Sequence, residues 1–468
     1  MKQNSRYEID MCSGSILKKM LLFAIPLMLS SILQLLFNAA DIIVVGRYAG
    51  DNSLAAVGSN TALINLLTNL FVGLSVGANV VAARYYGAKE EKNLSQTVHT
   101  SIFLALISGA VLTVVGVGGA RQILIWMQTP PEVLDLAVVY LRFIFGGITA
   151  TMLYNFGAAL LRAIGDTRRP LYFLLGAGVI NAGLNLLLVI VFRMDVAGVG
   201  IATAISQCIS AGLVLWCLHR ETGGIHLDFT QLRIYRDKLS RILRVGLPAG
   251  VQGIIFALSN VVIQSSVNSL GNIVMAGSAA AANIEGFVYM SMNAFYQTIL
   301  SFTSQNAGAG QLRRINRILL TGLACTTVTG LIVGGLAVLL GEPLLSIYSK
   351  DPVVVAAGLE RLRIISSTYA ICGLMDGMVG ALRGIGYSVI PMLVSLAGAC
   401  GLRLVWIATV FRMIPTASVI YWSYPVSWIV TFLCHVVCYM IVKRRLDRRF
   451  QALEAARNAQ EAAQPSGS

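Results

Sequence analysis

Long apolar runs separated by short polar loops define this chain. A helix needs about 20 apolar residues to cross a bilayer core. Read with that window, the pattern predicts twelve transmembrane helices, over residues 16–45, 54–82, 94–117, 133–160, 170–192, 197–218, 242–267, 273–304, 316–340, 353–381, 391–411 and 417–442. Several runs are longer than a bilayer requires, which predicts tilt or kinks. Pro26 and Pro248 lie inside the first and seventh helices. Each removes a backbone donor and bends its helix unless neighbours satisfy the freed carbonyl. The first run is far longer than the roughly 7–15-residue core of a signal peptide and is expected to stay as a helix. Residues 451–468 are rich in Ala, Gln and Ser and are expected to extend the last helix and then fray.

The sequence matches itself at a shift of 221 residues. Leu161-Arg162-Ala163-Ile164-Gly165 returns as Leu382-Arg383-Gly384-Ile385-Gly386, Pro170 as Pro391, Leu141-Arg142 as Leu362-Arg363 and Pro131 as Pro352. Gly87 returns as Gly308 and Gly50 as Gly271, while Pro26 and Pro248 are one residue off that register. Each half then holds six spans. An even number brings the chain back to its starting side, so the halves lie the same way up, related by a pseudo-two-fold axis along the membrane normal. The expected fold is an all-α polytopic membrane protein of two six-helix bundles. It divides into an N-terminal segment 1–15, a first lobe 16–218, a linker 219–241, a second lobe 242–442 and a tail 443–468.

Charge orients this arrangement. With the N-terminus taken as cytoplasmic and the sides alternated, 26 of the 35 Lys and Arg fall on the inside. That excess is a strong positive-inside bias and places both termini in the cytoplasm of a cell that carries the protein in its plasma membrane. It also accounts for the net charge of +14 without a nucleic-acid partner. Composition agrees. Charged residues are 12% of the chain, against about 25% in a soluble domain. Seven of the eight cysteines lie in apolar stretches as small packing residues. His99, His219, His226 and His435 have no ligand-spaced partners, so neither a metal site nor a cofactor is expected. There is no nucleotide-binding loop, no metalloprotease motif and little soluble mass, so an enzyme is not expected.

The loop Leu161-Arg162-Ala163-Ile164-Gly165-Asp166-Thr167 ahead of Pro170 resembles a conserved loop of the multidrug and toxic compound extrusion (MATE) family. So do Ala40-Asp41-Ile42-Ile43-Val44-Val45-Gly46 and Gly198-Val199-Gly200-Ile201-Ala202-Thr203 with Ser206-Gln207. The resemblance covers roughly residues 15–442. It implies a V-shaped, two-lobed, monomeric antiporter working by alternating access. Such proteins export cationic or amphipathic compounds in exchange for H⁺ or Na⁺. It also implies an ion-coupling cluster in the first lobe: Asp41, Asn181, Asn185 and Thr203. Position 185 departs from the family pattern, which places Asp there. A second departure is in the other lobe. Some branches carry a carboxylate in the seventh helix, near Phe256 here, and another near Cys372, whereas this chain has Glu285 and Asp376.

An ionised carboxylate in mid-bilayer costs at least about 2.5–3.5 kcal/mol, and intramembrane acids are functional by default. Asp41 either titrates and bends the first helix or only anchors it to a neighbour. Glu285 and Asp376 either attract a cationic substrate or are satisfied by partners. Gln34, Asn65, Asn69, Tyr154, Asn155, Met290 and Tyr296 are further polar or adaptable groups inside spans, and with those two acids they form the candidate substrate cavity. Helix–helix hydrogen bonding is the plain alternative for the polar members. Met275, Met292, Met375 and Met378 join Met290 in a methionine-rich second half, suited either to packing or to a promiscuous surface. A flippase or exporter of lipid-linked or polysaccharide cargo is the rival reading. It would favour a cationic cavity, whereas Arg403 reads as the one base well inside a span, against three acids.

Overall fold

The computed structural model describes residues 7–463. The ends of the expected N-terminal segment and tail, 1–6 and 464–468, lie outside the described residues. Every regular element described is helical. The first lobe contains α1 (Ile16–Tyr48), α2 (Asp51–Gly87), α3 (Glu91–Trp126), α4 in two segments (Pro131–Gly146 and Ile148–Ala163), α5 (Arg168–Val191) and α6 (Asp195–Arg220). The second contains α7 (Arg236–Asn268), α8 (Asn272–Gly308), α9 (Leu312–Leu339), α10 (Pro352–Ile385), α11 (Val389–Phe411) and α12 (Ala417–Ala463). Eleven are unbroken and apolar enough to cross a membrane, and the bent α4 makes twelve. Each predicted window overlies one of them.

The break in α4 was not legible from the prolines. Its segments meet at 43° at Gly146-Gly147, a glycine pair being one of the few causes of a sharp kink. A Cβ at Gly147 would come within 2.8 Å of the Ala204 Cβ, so α6 packs tightly into the bend. The equivalent α10 runs unbroken, with Thr368 where α4 has Gly147.

Backbone conformation repeats with the sequence. Gly165 and Gly386 end the fourth helix of each lobe with φ of +96° and +105°, a conformation open mainly to glycine. Lys89 and Gly310, also 221 apart, share the left-handed region at +58° and +71°. Gly87 packs on Gln305, and Gly308 packs on Arg84. A Cβ at either glycine would lie within 2.0 Å of the partner's carbonyl oxygen. These contacts exchange under the 221 shift, as a pseudo-two-fold axis requires.

The two lobes meet at the end of the molecule that carries the linker and the basic loops, called here the basic end. There Arg84 donates to the Ile385 carbonyl (3.1 Å), Gln305 to that of Ala163 (2.6 Å), and Ser301 to Asn79 Oδ1 (3.2 Å). Deeper in, α2 crosses α7 through Gly73-x-x-x-Gly77 and Gly246-x-x-x-Gly250, a small-residue pattern that lets backbones touch. A Cβ at Gly73 would lie 2.2 Å from Gly250 N, and one at Gly77 2.3 Å from Ile242 O. The pseudo-symmetric crossing of α1 on α8 has no such glycines. It uses larger groups, with Phe23 edge-on to Phe302 at 5.6 Å. Beyond Leu35 and Asn69, α1 and α2 turn to their own lobe: Gly178 packs on Phe37, and Asn60 donates to the Ala137 carbonyl (3.0 Å). The lobes therefore diverge into a V, closed at the basic end.

Two segments strap that end. The linker from Glu221 to Tyr235 lies on α3, with the Asp228 amide donating to His99 Nε2 (3.1 Å) and the Tyr235 amide to Thr100 Oγ1 (3.1 Å). The N-terminal segment touches both lobes. On the first, Tyr86 donates to Glu8 (3.1 Å) and Gly165 packs on the Ile9 backbone. On the second, Asn306 donates to the carbonyl of Met11 (3.1 Å), whose side chain is fully buried.

Candidate functional site

The best-defined polar cluster lies inside the first lobe, between α1, α5 and α6. Asn181 and Asn185 are four residues apart and so share one face of α5. Immediately after Asn185 the helix widens into a π-helical stretch, Leu186–Val191, a distortion often found at functional sites. Asn185 Nδ2 donates to Asp41 of α1, and also to Asn181 Oδ1 (3.2 Å). Asn181 Nδ2 in turn reaches Thr203 Oγ1 (3.5 Å) and Ser206 Oγ (3.4 Å) on α6. The chain of bonds runs Ser206/Thr203–Asn181–Asn185–Asp41 without a gap. Tyr140 of α4 lies within electrostatic reach of Asp41.

All four residues of the expected coupling cluster are brought together here. Ser206 is an addition. It lies one turn from Thr203 on the same face of α6, so helical spacing alone would have found it. The two asparagines are buried and Asp41 is half-buried. Asn185 Oδ1 has no partner among the described residues. No group of three or more His, Cys, Asp or Glu suited to a metal occurs among them either. The cluster thus holds one carboxylate and a row of neutral groups that both donate and accept hydrogen bonds.

The second lobe departs in part from the sequence reading. Glu285 is satisfied by a partner, the second of the two roles left open for it. Arg361 of α10 donates to both of its oxygens (2.9 and 2.8 Å) and to Ser278 (2.7 Å), and all three side chains are buried. Arg403, however, is not alone. Arg361 and Arg383 are buried in α10 as well, Arg383 donating to Tyr296 (2.7 Å) and Gln252 (2.8 Å). The expected excess of acids in the interior is therefore absent. Asp376 is half-buried, has no hydrogen-bond partner among the described residues, and lies in electrostatic reach of Arg383, Tyr289 and Cys372.

The other cavity candidates are dispersed. The Tyr154 hydroxyl is committed to the Pro170 carbonyl (3.1 Å), and Tyr296 to Arg383. Gln34 and Asn65 are exposed, while Asn69, Asn155 and Met290 are half-buried. Asn69 lies beside Gly253, where the lobes part. Of the further methionines, Met292, Met375 and Met378 are buried in the core and Met275 is exposed.

Comparison with known proteins agrees with this architecture. The MatE family model matches residues 26–187 and again 248–409, one match in each lobe. The probable multidrug resistance protein YoeA of Bacillus subtilis is 26% identical over 448 residues, covering 93% of this chain and 96% of that protein. An FAD transporter of Shewanella oneidensis is 25% identical over 349 residues, covering 73% and 76%. A solved outward-facing multidrug resistance MATE family transporter superposes with a TM-score of 0.86 at 21% identity, covering 97% of this chain and all of that one. The two glycine-zipped lobes, their internal repeat and these matches together place the chain in the MatE family, the multidrug and toxic compound extrusion transporters.

Proposed function

We propose that this protein is a proton-coupled exporter of amphipathic small molecules, working as a monomer by alternating access with its basic end in the cytoplasm. The observation that carries the reading is the hydrogen-bond chain from Asp41 to Ser206. Its members, apart from Asp41, both donate and accept. With Asp41 ionised, every amide in the chain points its Nδ2 toward Asp41 or its Oδ1 away from α6, as described above. With Asp41 protonated, the carboxyl becomes a donor. Both amides then rotate, and the hydroxyls of Thr203 and Ser206 turn to donate into the chain. One proton thus reverses the polarity of the whole link between α1, α5 and α6. An aspartate at position 185 would bring a second negative charge and block that reversal, so the asparagine there favours H⁺ over Na⁺.

The positive-inside bias puts the closed end in the cytoplasm, so the V opens outward. In this state an external proton reaches Asp41, cargo leaves, and the protonated lobe is free to swing. The names of relatives, which include multidrug resistance proteins and an FAD transporter, support a small-molecule cargo.

The test is efflux of a fluorescent amphipathic dye in everted vesicles, energised separately by ΔpH and by a Na⁺ gradient. Dye movement driven by ΔpH alone is the expected result. Movement that needs Na⁺ and ignores ΔpH would overturn proton coupling.

A further inference from the structure

The second lobe contains a pseudo-symmetric twin of the Asp41 cluster with its polarity inverted. Ser427 of α12 is 221 residues from Ser206. Arg403 of α11 is 222 from Asn181, the same offset that separates Pro26 from Pro248. The bonding matches too. Asn181 donates to Ser206, and Arg403 Nε donates to Ser427 Oγ at 2.8 Å. At the 222 offset from Asp41 stands Ile263, buried in the cluster around Trp428. The acid is gone, and a fixed cation replaces an amide.

Among the described residues that cation has no counter-charge in contact. Arg403 is 8% exposed. It takes part in no ion pair among the described residues. Its guanidinium lies 4.2 Å from the Tyr424 ring centroid and 5.5 Å from that of Trp428. Arginine does not deprotonate in proteins, and a buried charge without a partner is costly. Only Nε is used. The two terminal amino groups are neither hydrogen-bonded nor sealed among the buried unpaired atoms of the described residues. Two parallel N–H groups on a planar fork fit one carboxylate in bidentate fashion. A phosphate monoester, carrying nearly twice the charge, would leave a single guanidinium outmatched.

We propose that Arg403, braced by Ser427, Tyr424 and Trp428, is a cargo subsite for a carboxylate group, so that this exporter takes carboxylate-bearing amphipathic molecules. The proposal rests on the exporter reading above and specifies its cargo. The two lobes then divide the work: the first handles the proton and the second handles the negative end of the cargo.

The test compares two xanthene dyes, one with a free carboxylate and the other its ethyl ester. Binding to the purified full-length protein in nanodiscs is followed by fluorescence anisotropy. The wild type is expected to favour the carboxylate dye by about 10-fold or more, the size of a charge-assisted hydrogen bond. Arg403→Gln is expected to bring that ratio close to one, and Arg403→Lys to leave it between the two. A ratio near one in the wild type, or one unchanged in the Gln variant, would overturn the subsite. If the Gln variant does not fold, the Lys variant decides: a ratio cut severalfold supports the subsite, and an unchanged ratio contradicts it. The measurement needs no ion gradient, so failure of proton coupling at Asp41 would leave its outcome untouched.

Discussion

Asp41→Asn is expected to abolish ΔpH-driven efflux, lowering the initial rate in everted vesicles at least about 10-fold, while the protein still reaches the membrane. The substitution keeps the size and the oxygen acceptor that faces Asn185. What it removes is the ability to be charged in one half of the cycle and neutral in the other. A carrier that can neither load nor unload a proton at this position loses its link to the gradient. Passive exchange of cargo down its own concentration difference is expected to persist, because that needs no proton. The same variant separates the two roles open to an intramembrane acid. If Asp41 only anchored α1 to α5, asparagine would serve nearly as well, and driven transport would continue.

Gly73→Val is the second change with a large expected effect. A Cβ at this position would lie 2.2 Å from the backbone nitrogen of Gly250 and 2.4 Å from its Cα. Backbone cannot rotate out of the way as a side chain can, so α2 and α7 must separate. Overpacking costs typically about 1–3 kcal/mol in a core that can adjust, and this contact is less adjustable than most. Two measurements follow it. The thermal unfolding midpoint is expected to fall. In a background lacking the eight native cysteines, the disulfide between Asn79→Cys and Ser301→Cys is expected to form poorly, because the bond joining those residues (3.2 Å) spans the same closed end. Gly118→Ala provides the control. Nothing lies within 4 Å of a Cβ there, so both readouts should stay at their wild-type values. Equal behaviour of the two variants would show that the α2–α7 crossing does not hold the lobes.

Much of this molecule was legible in the sequence because lipid imposes one blunt rule. Each crossing must be long, apolar and helical, and hydropathy reads that directly. The 221 shift was legible because loop glycines with left-handed backbones, such as Gly165 and Gly386, tolerate little else. The coupling cluster was found through the family pattern and the four-residue spacing of Asn181 and Asn185. Other features depended on which distant helices meet, which no local pattern records. In sequence Glu285 stays open between a cargo-facing and a satisfied acid because its partner Arg361 lies 76 residues away on another helix. Arg403 read as an exception because Arg361 and Arg383 carry the same charge in a span whose burial the sequence does not display. The sharp bend was sought at prolines, yet Gly146-Gly147 makes it. The glycine pairs at 73/77 and 246/250 were visible as a four-residue pattern. Their meaning emerged only once α2 and α7 were seen to cross.

In the proposed cycle two rigid lobes swing about that crossing, with a proton on Asp41 setting the direction. Double electron–electron resonance between symmetry-related spin labels tests it most directly. One pair uses Trp126→Cys with Ile347→Cys at the open end, both exposed (73% and 77%) and 221 residues apart. The other uses Glu90→Cys with Gln311→Cys at the basic end. On lowering the pH without cargo, the first distance is expected to shorten as the second lengthens, and Asp41→Asn is expected to hold both fixed. Two distances that move together, or that respond to pH equally in the Asn variant, would contradict it.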